Sequence, residues 1–343
     1  MLGFRLAGLA LYYSATRAMR QFFIRRWRWR SCVPMTVLMY HYVGSDCTAP
    51  WVTSLAAFRR HVEWLSEHTD VVSLSEIQRR LAVGNTALRP CVAITFDDGY
   101  AANLDKALPL LLDAGMPVTF FVTATNMLNR QPFEHDLERG QTLRPISQRE
   151  LRDLADSGVE IGSHGLTHAD YSRLSETELI REIAESKIAL EDLIGRPVRS
   201  LAVPFGQPRQ MTDMVFRIAR EAGYDCVCSA YGGYNVPGRH HYHIRRFHGD
   251  DSLLRLMNRV TVDPRLVWKT LFRDPISSEP VKESSYSPPV QVNHLLTSDD
   301  ESSADKDKQT HSIGCASVPI VVLPFLNDTT CCLSDRPTLG GRP

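Results

Sequence analysis

The chain has 343 residues, of which 43% are apolar, and 39 basic side chains balance 39 acidic ones. That length and composition describe an ordinary globular protein with one large core and appendages, and the zero net charge argues against a general nucleic-acid binder. The eight cysteines (Cys32, Cys47, Cys91, Cys226, Cys228, Cys315, Cys331, Cys332) contain no C-x-x-C pair, so their scatter predicts buried free thiols and favours a reducing compartment.

Residues 1–34 form a basic, apolar leader. Arg5, Arg17, Arg20, Arg25, Arg26, Arg28 and Arg30 are mixed with Phe22, Phe23, Trp27 and Trp29, and the first 30 residues hold no acid. The longest uncharged stretch, residues 6–16, is far short of the roughly 20 apolar residues of a spanning helix. No small-residue cleavage site follows, so a cleavable signal peptide is not expected. Two readings stay open. Residues 1–30 lie on an anionic membrane surface, holding a cytoplasmic domain at its periphery. Alternatively they are a leader without fixed structure, or the start is placed too early and Met35 is the true start.

From residue 35 to about 275 the pattern alternates. Short β-type runs are expected over 36–40, 92–96, 118–122, 159–162, 200–203, 224–228 and 244–247. Helical patterns occupy 55–67, 75–82, 104–114, 147–156, 176–194, 211–222 and 252–260. The helix from 176 is the best marked. Ser175 and Glu178 make a capping box, Leu174 and Leu179 a hydrophobic staple, and Gly195 with Pro197 ends it. Such alternation predicts an α/β protein with a parallel sheet of about seven strands, closed as a barrel or open and doubly wound. Both architectures carry their chemistry at the carboxyl ends of the strands. Residues 276–343, rich in Ser, Pro, Asp and Lys, are expected to be a disordered tail.

Two runs fall at those strand ends: Thr95-Phe96-Asp97-Asp98-Gly99 and Ser163-His164-Gly165-Leu166-Thr167-His168. Imidazoles four positions apart reach one ion across a single turn, and two nitrogens plus one carboxylate oxygen leave a position open for water. A divalent metal so held acidifies that water and polarises a carbonyl. Adjacent aspartates then divide their work, one as ligand and one as proton acceptor.

These runs resemble the first two motifs of the NodB-homology polysaccharide deacetylases, carbohydrate esterase family 4. Val37-Leu38-Met39-Tyr40-His41, the run Pro117-Val118-Thr119-Phe120-Phe121-Val122 and Gly158-Val159-Glu160-Ile161-Gly162 are similar to the family's strands. The resemblance implies a distorted (β/α) barrel over residues 35–275, with Asp97 as catalytic base and Asp98, His164 and His168 as ligands of zinc, or of cobalt or nickel. It implies hydrolysis of N-acetyl groups on the amino sugars of a glycan. The family's third motif, Arg-x-Pro-Tyr, reads Ala202-Val203-Pro204-Phe205 here, so its arginine is missing, while the Phe205 backbone N–H remains available for an oxyanion. That variant is similar to the exopolysaccharide and biofilm-glycan branch. Arg246, with Arg245 as second choice, is expected to reach Asp97 instead. No Leu-x-His acid is evident. His248 is the choice among His240, His241, His243 and His248, and His41 is expected to line the cleft. The loop Tyr231-Gly232-Gly233-Tyr234-Asn235-Val236-Pro237-Gly238 could stack on sugar rings. The competing readings are a non-catalytic glycan-binding relative and a hydrolase of a non-sugar amide.

Overall fold

The computed structural model describes residues 2–45, 47 and 49–272. The expected tail, 276–343, lies outside them, as do Cys315, Cys331 and Cys332. Eleven strands are present: β1 (Thr36–Tyr40), β2 (Tyr42–Val43), β3 (Val52–Thr53), β4 (Asp70–Val71), β5 (Cys91–Phe96), β6 (Val118–Val122), β7 (Glu160–Ser163), β8 (Ser200–Ala202), β9 (Cys226–Cys228), β10 (His243–Ile244) and β11 (Phe247–His248). Nine form one sheet in the order β10-β9-β8-β7-β6-β5-β1-β11, with β4 added to β5, and every pairing in it is parallel.

The two ends of that order meet in sequence. β10 pairs with β9 and β11 with β1, yet only Arg245 and Arg246 separate them. Three peptide units span at most about 11 Å, so the curled sheet is drawn round on itself at this point. The run expected over 244–247 is therefore one strand broken in the middle, each half paired with a different edge.

Side-chain alternation sorts the strands into two layers. Leu38, Tyr40, Ile94, Phe96, Phe120, Val122, Leu201 and Val227 face outward and pack with the helices. Val37, Ala93, Phe121, Ala202, Cys226, Cys228 and Ile244 face inward and make a separate cluster, closed by Leu74, Ile77 and Leu81 of the helix Leu74–Val83. The inner set is mostly small. A Cβ on Gly162 would run into the Phe121 ring, so this large lumen side chain is accommodated by a glycine across from it. Cys91, Cys226 and Cys228 are buried and free, as expected.

The long helices fall close to their expected positions, with two breaks. The segment expected over 104–114 divides at Ala107 into Ala102–Lys106 and Leu108–Asp113, because Pro109 has no N–H to continue the ladder. The helix beginning at Glu176 keeps the Ser175/Glu178 capping box and the left-handed Gly195 cap, but carries a π-helical turn over Arg181–Glu185. The short helices Ala124–Asn129 and Glu134–Leu137 and the strands β2 to β4 had no periodic signal, being too short to show one.

The leader forms two helices, Leu2–Ala15 and Arg17–Arg28, that pack on the domain. Arg20 is buried and donates to the Asn258 carbonyl oxygen (2.9 Å) and to Asn258 Oδ1 (2.7 Å), while the Tyr12 hydroxyl donates to Asp263 Oδ1 (2.8 Å).

Candidate active site

Alternation in β5 turns Ala93 and Thr95 into the lumen, and Asp97, next in that series, is buried at the lumen's mouth. Arg246 enters from the break between β10 and β11. It is fully buried and holds Asp97 by two hydrogen bonds, Nη1 to Oδ1 at 2.6 Å and Nη2 to Oδ2 at 2.8 Å. Its Nε donates to the Ser229 carbonyl oxygen (3.0 Å), Nη1 also reaches Thr95 Oγ1 (3.2 Å), and the guanidinium lies over the Phe121 ring. Burial pushes the Asp97 carboxyl up, but Arg246, with His164 and His41, outweighs it and holds the group below the usual carboxylate range. Arg245, the second choice, makes its backbone hydrogen bonds with the Asn235 side chain, and the contacts to Asp97 come from Arg246.

Asp98 follows immediately, and on a regular strand it would face away from Asp97. A left-handed backbone (φ 69°) turns it back. That conformation costs an L-residue about 1–2 kcal/mol, and such strain gathers at functional sites. His164 enters from the end of β7. Its Nδ1 lies 2.8 Å from the Ala202 carbonyl oxygen, a geometry that places the proton on Nδ1 and leaves Nε2 as the free lone pair. His168 comes from the loop beyond, which is not helical. Gly165 (φ 77°) and His168 (φ 63°) both adopt left-handed backbone, and a Cβ on Gly165 would strike the Tyr171 hydroxyl. The two imidazoles thus converge through two reversals of the chain rather than across one helical turn.

Asp98 Oδ1 lies 3.2 Å from His164 Nε2 and 3.4 Å from His168 Nε2, and is buried without a properly directed hydrogen-bond donor. Three ligand atoms pointing at a common centre look like this. A tetrahedron with ligands about 2.0–2.1 Å from its centre has edges of roughly 3.4 Å. The residues therefore fit a divalent metal, and they are the one cluster of metal-ligand type among the described residues. Burial opposes ionisation of Asp98, but the flanking His164 and His168 outweigh it and hold the carboxyl well below its usual range. Burial also pushes His164 down, and the Asp97 and Asp98 carboxylates more than reverse that.

His41, at the end of β1, places Nε2 4.0 Å from Asp97 Oδ2 and stacks on the His248 ring. Burial lowers the pKa of both, that of His248 to about 4. His248 is thus neutral at pH 7 and touches the site through His41. Phe205 is half exposed at a left-handed position (φ 61°), its ring 5.1 Å from that of His168. Its N–H donates to no group among the described residues. His243 is a buried structural residue, its Nε2 2.9 Å from Ser229 Oγ, and His241 is exposed. Tyr234 and Asn235 of the tyrosine–glycine loop are held by structural partners. Asn235 bridges Met35, at the opposite end of β1, and the Tyr234 hydroxyl is buried between the Arg259 carbonyl and the Asp263 N–H.

Two supports carried no sequence signal. Glu182 projects from the π-helical turn into the His164–His168 loop, where it accepts the N–H of Leu166 (2.9 Å) and of Thr167 (3.1 Å) and the Thr167 hydroxyl. Beside His168, the Tyr100 hydroxyl donates to buried Asp136 (2.8 Å), and Phe133 and His135 pack against the His168 ring. Glu182 reads as one more charge on an amphipathic helix. A wide turn is what aims it inward.

Comparison with known proteins agrees with this site. The sequence model of the polysaccharide deacetylase family matches residues 84–227, which include both aspartates, both histidines and Phe205. YxkH of Bacillus subtilis (strain 168), provisionally named a polysaccharide deacetylase, is 25% identical over 193 residues, 55% of this chain. The match spans 62% of YxkH, less than two thirds of its length. Among solved structures, the Streptococcus pyogenes deacetylase PplD in complex with acetate has 18% identity and a TM-score of 0.57, covering 67% of this chain and 99% of its own. IcaB from Ammonifex degensii has 22% identity and a TM-score of 0.56, covering 67% and 97%. At such identities the two structures speak for the fold, a curled parallel (β/α) barrel of the NodB type. The matched segment holds every motif residue around one buried centre, and over residues 84–227 the chain is similar to the polysaccharide deacetylase family.

Proposed function

We propose that the chain is a metal-dependent hydrolase that removes N-acetyl groups from the amino sugars of a polysaccharide or its precursor. The observation that carries this is the pairing of two differently prepared carboxylates. Asp97 is locked to Arg246, while Asp98 Oδ1 is buried without a hydrogen-bond donor between two imidazole nitrogens. Asp98, His164 and His168 would hold zinc, or cobalt or nickel in its place. When bound, the ion acidifies water and polarises the acetyl carbonyl. The chain's own residues supply the rest. Asp97, ionised and oriented by Arg246, accepts the proton of the attacking water. The Phe205 N–H donates to the oxyanion of the tetrahedral intermediate. The carbon–nitrogen bond then breaks, and the departing amine needs a proton. His41 is the nearer donor, because it faces Asp97 directly and His248 lies behind its ring. Arg246 takes the place of the arginine that the third motif lacks, so its loss from residue 202 does not by itself favour a non-catalytic glycan-binding protein. The Ala202-Val203-Pro204-Phe205 form of the third motif, similar to the exopolysaccharide branch, supports an exopolysaccharide as the substrate class.

The test is acetate release from N-acetylglucosamine oligomers, measured with and without added zinc. Wild-type protein is expected to release acetate only when metal is present. Asp97→Asn is expected to lower kcat by about 10²–10⁴ while zinc affinity stays within a few fold. Absence of metal-dependent acetate from any N-acetylated glycan overturns the reading.

A further inference from the structure

The second leader helix is apolar on both sides, and only one side is covered. The two leader helices meet at Thr16, whose N–H bonds to the Tyr12 carbonyl and whose carbonyl accepts the Arg20 N–H. At about 100° per residue, Thr16, Arg20 and Ile24 share one face within about 80°. They are buried against the domain. On the opposite face Met19, Phe22 and Trp29 fall within about 80° of one another. They are 41%, 63% and 92% exposed, and Leu11 of the first helix is 73% exposed. Arg25 and Arg26 flank that stripe, and Arg17 and Arg30 lie at its two ends. None of these four arginines has an acidic partner among the described residues.

A water-facing helix has no reason to gather its large apolar residues on the face away from the core. A surface that accepts apolar side chains and carries negative charge explains both halves of the pattern. We infer that the outer face of residues 17–30 docks on an anionic lipid bilayer, with Phe22 and Trp29 entering the headgroup boundary and the arginines among the lipid phosphates. No described helix is long and apolar enough to cross a membrane, so the contact is peripheral. The buried Arg20 contacts and the Tyr12–Asp263 hydrogen bond hold the helix rigidly on the domain, which ties the domain's orientation to the bilayer. This inference does not depend on the reaction proposed above.

The full chain is mixed with vesicles of phosphatidylcholine alone, or with one third phosphatidylglycerol, and sedimented. Expected is sedimentation with the anionic vesicles only, loss of most of it between about 0.05 M and 0.5 M salt as charges are screened, and a blue shift of tryptophan emission that Trp29→Ser removes. Phe22→Ser combined with Trp29→Ser, and separately Arg25→Glu with Arg26→Glu, are each expected to weaken vesicle affinity at least tenfold with an unchanged melting curve. Should the double serine variant fail to fold, Trp29→Ser alone, at the most exposed position, is expected to weaken it several fold. Failure of the wild type to sediment with anionic vesicles overturns the inference. So does full binding by the serine variants, which would mark the face as a site for a soluble polyanion.

Discussion

Arg246 and Asp97 depend on each other because both are out of water. Removing Arg246 strands a buried carboxylate, and breaking such a pair costs about 3–5 kcal/mol. Arg246→Ala is therefore expected to melt well below wild type. Its remaining activity should show a displaced acid limb. With Arg246 present, Asp97 stays ionised to below its ordinary range, so no acid limb from this group is expected above about pH 4. Without it, only His164 and His41 oppose the burial penalty and the Asp97 pKa rises, carrying the acid limb of kcat/KM upward. Arg246→Lys keeps the charge but loses the two-pronged geometry, and should fall between. Melting curves and a pH–rate profile decide the matter. A profile unchanged in Arg246→Ala would show that Asp97 does not need this partner.

At the scale of elements, the His164–His168 loop is held by Glu182 and not by its own sequence. Three donors of the loop, the N–H groups of Leu166 and Thr167 and the Thr167 hydroxyl, converge on that one carboxylate. Glu182→Ala leaves them without a buried acceptor and frees the loop that carries His168. Losses of supporting contacts around a metal ligand typically cost 10- to 100-fold in affinity. Zinc competition titration is expected to show such a loss in Glu182→Ala and a smaller one in Glu182→Gln, which keeps an acceptor oxygen. Equal affinity in all three proteins would mean that the loop holds its shape unaided. The π-helical turn over Arg181–Glu185 has a clear consequence here, since it displaces Glu182 from the position that a regular helix would give it.

For the whole molecule, buried neutral histidines make acid destabilising. His61 lies beneath β1 with its Nδ1 3.1 Å from the Tyr40 hydroxyl, and burial lowers its pKa to about 4. His248 behaves alike. In the unfolded chain both titrate near 6.5. Below that pH the unfolded state binds protons that the folded state refuses, so stability falls as pH drops from about 6.5 to about 4. Above it both groups are neutral in either state and contribute no slope. Asp97 and Asp98 act in the same direction at lower pH, because their folded pKa values lie below the ordinary carboxylate range. His164 acts oppositely, its raised pKa giving stability that is lost as pH rises. Thermal melts across this range should therefore decline toward acid, and in His61→Gln the decline should be shallower. A His61 ring signal that titrates near 6.5 would contradict the burial argument.

The motif residues and the α/β alternation were legible in one dimension because each follows from short-range rules. Alternation marks the strands, capping marks the helix at Ser175, and Asp97, Asp98, His164 and His168 sit where strands stop. The resemblance of those runs to one family then separated base from ligand. What the chain could not display locally was decided by the closing of the sheet. The missing third-motif arginine pointed to Arg246 or Arg245 as the partner of Asp97, but β10 and β11 are each two residues long and pair with opposite edges, and only that break puts Arg246 rather than Arg245 in the lumen beside residue 97. Glu182 and the packing of Tyr100, Phe133, His135 and Asp136 around His168 were likewise decided by the tertiary structure. The amino-acid sequence determines which side chains hold the chemistry, since that depends on residue type and spacing. Only the tertiary structure decides which partners orient them, since that depends on where distant segments meet once the barrel is drawn shut.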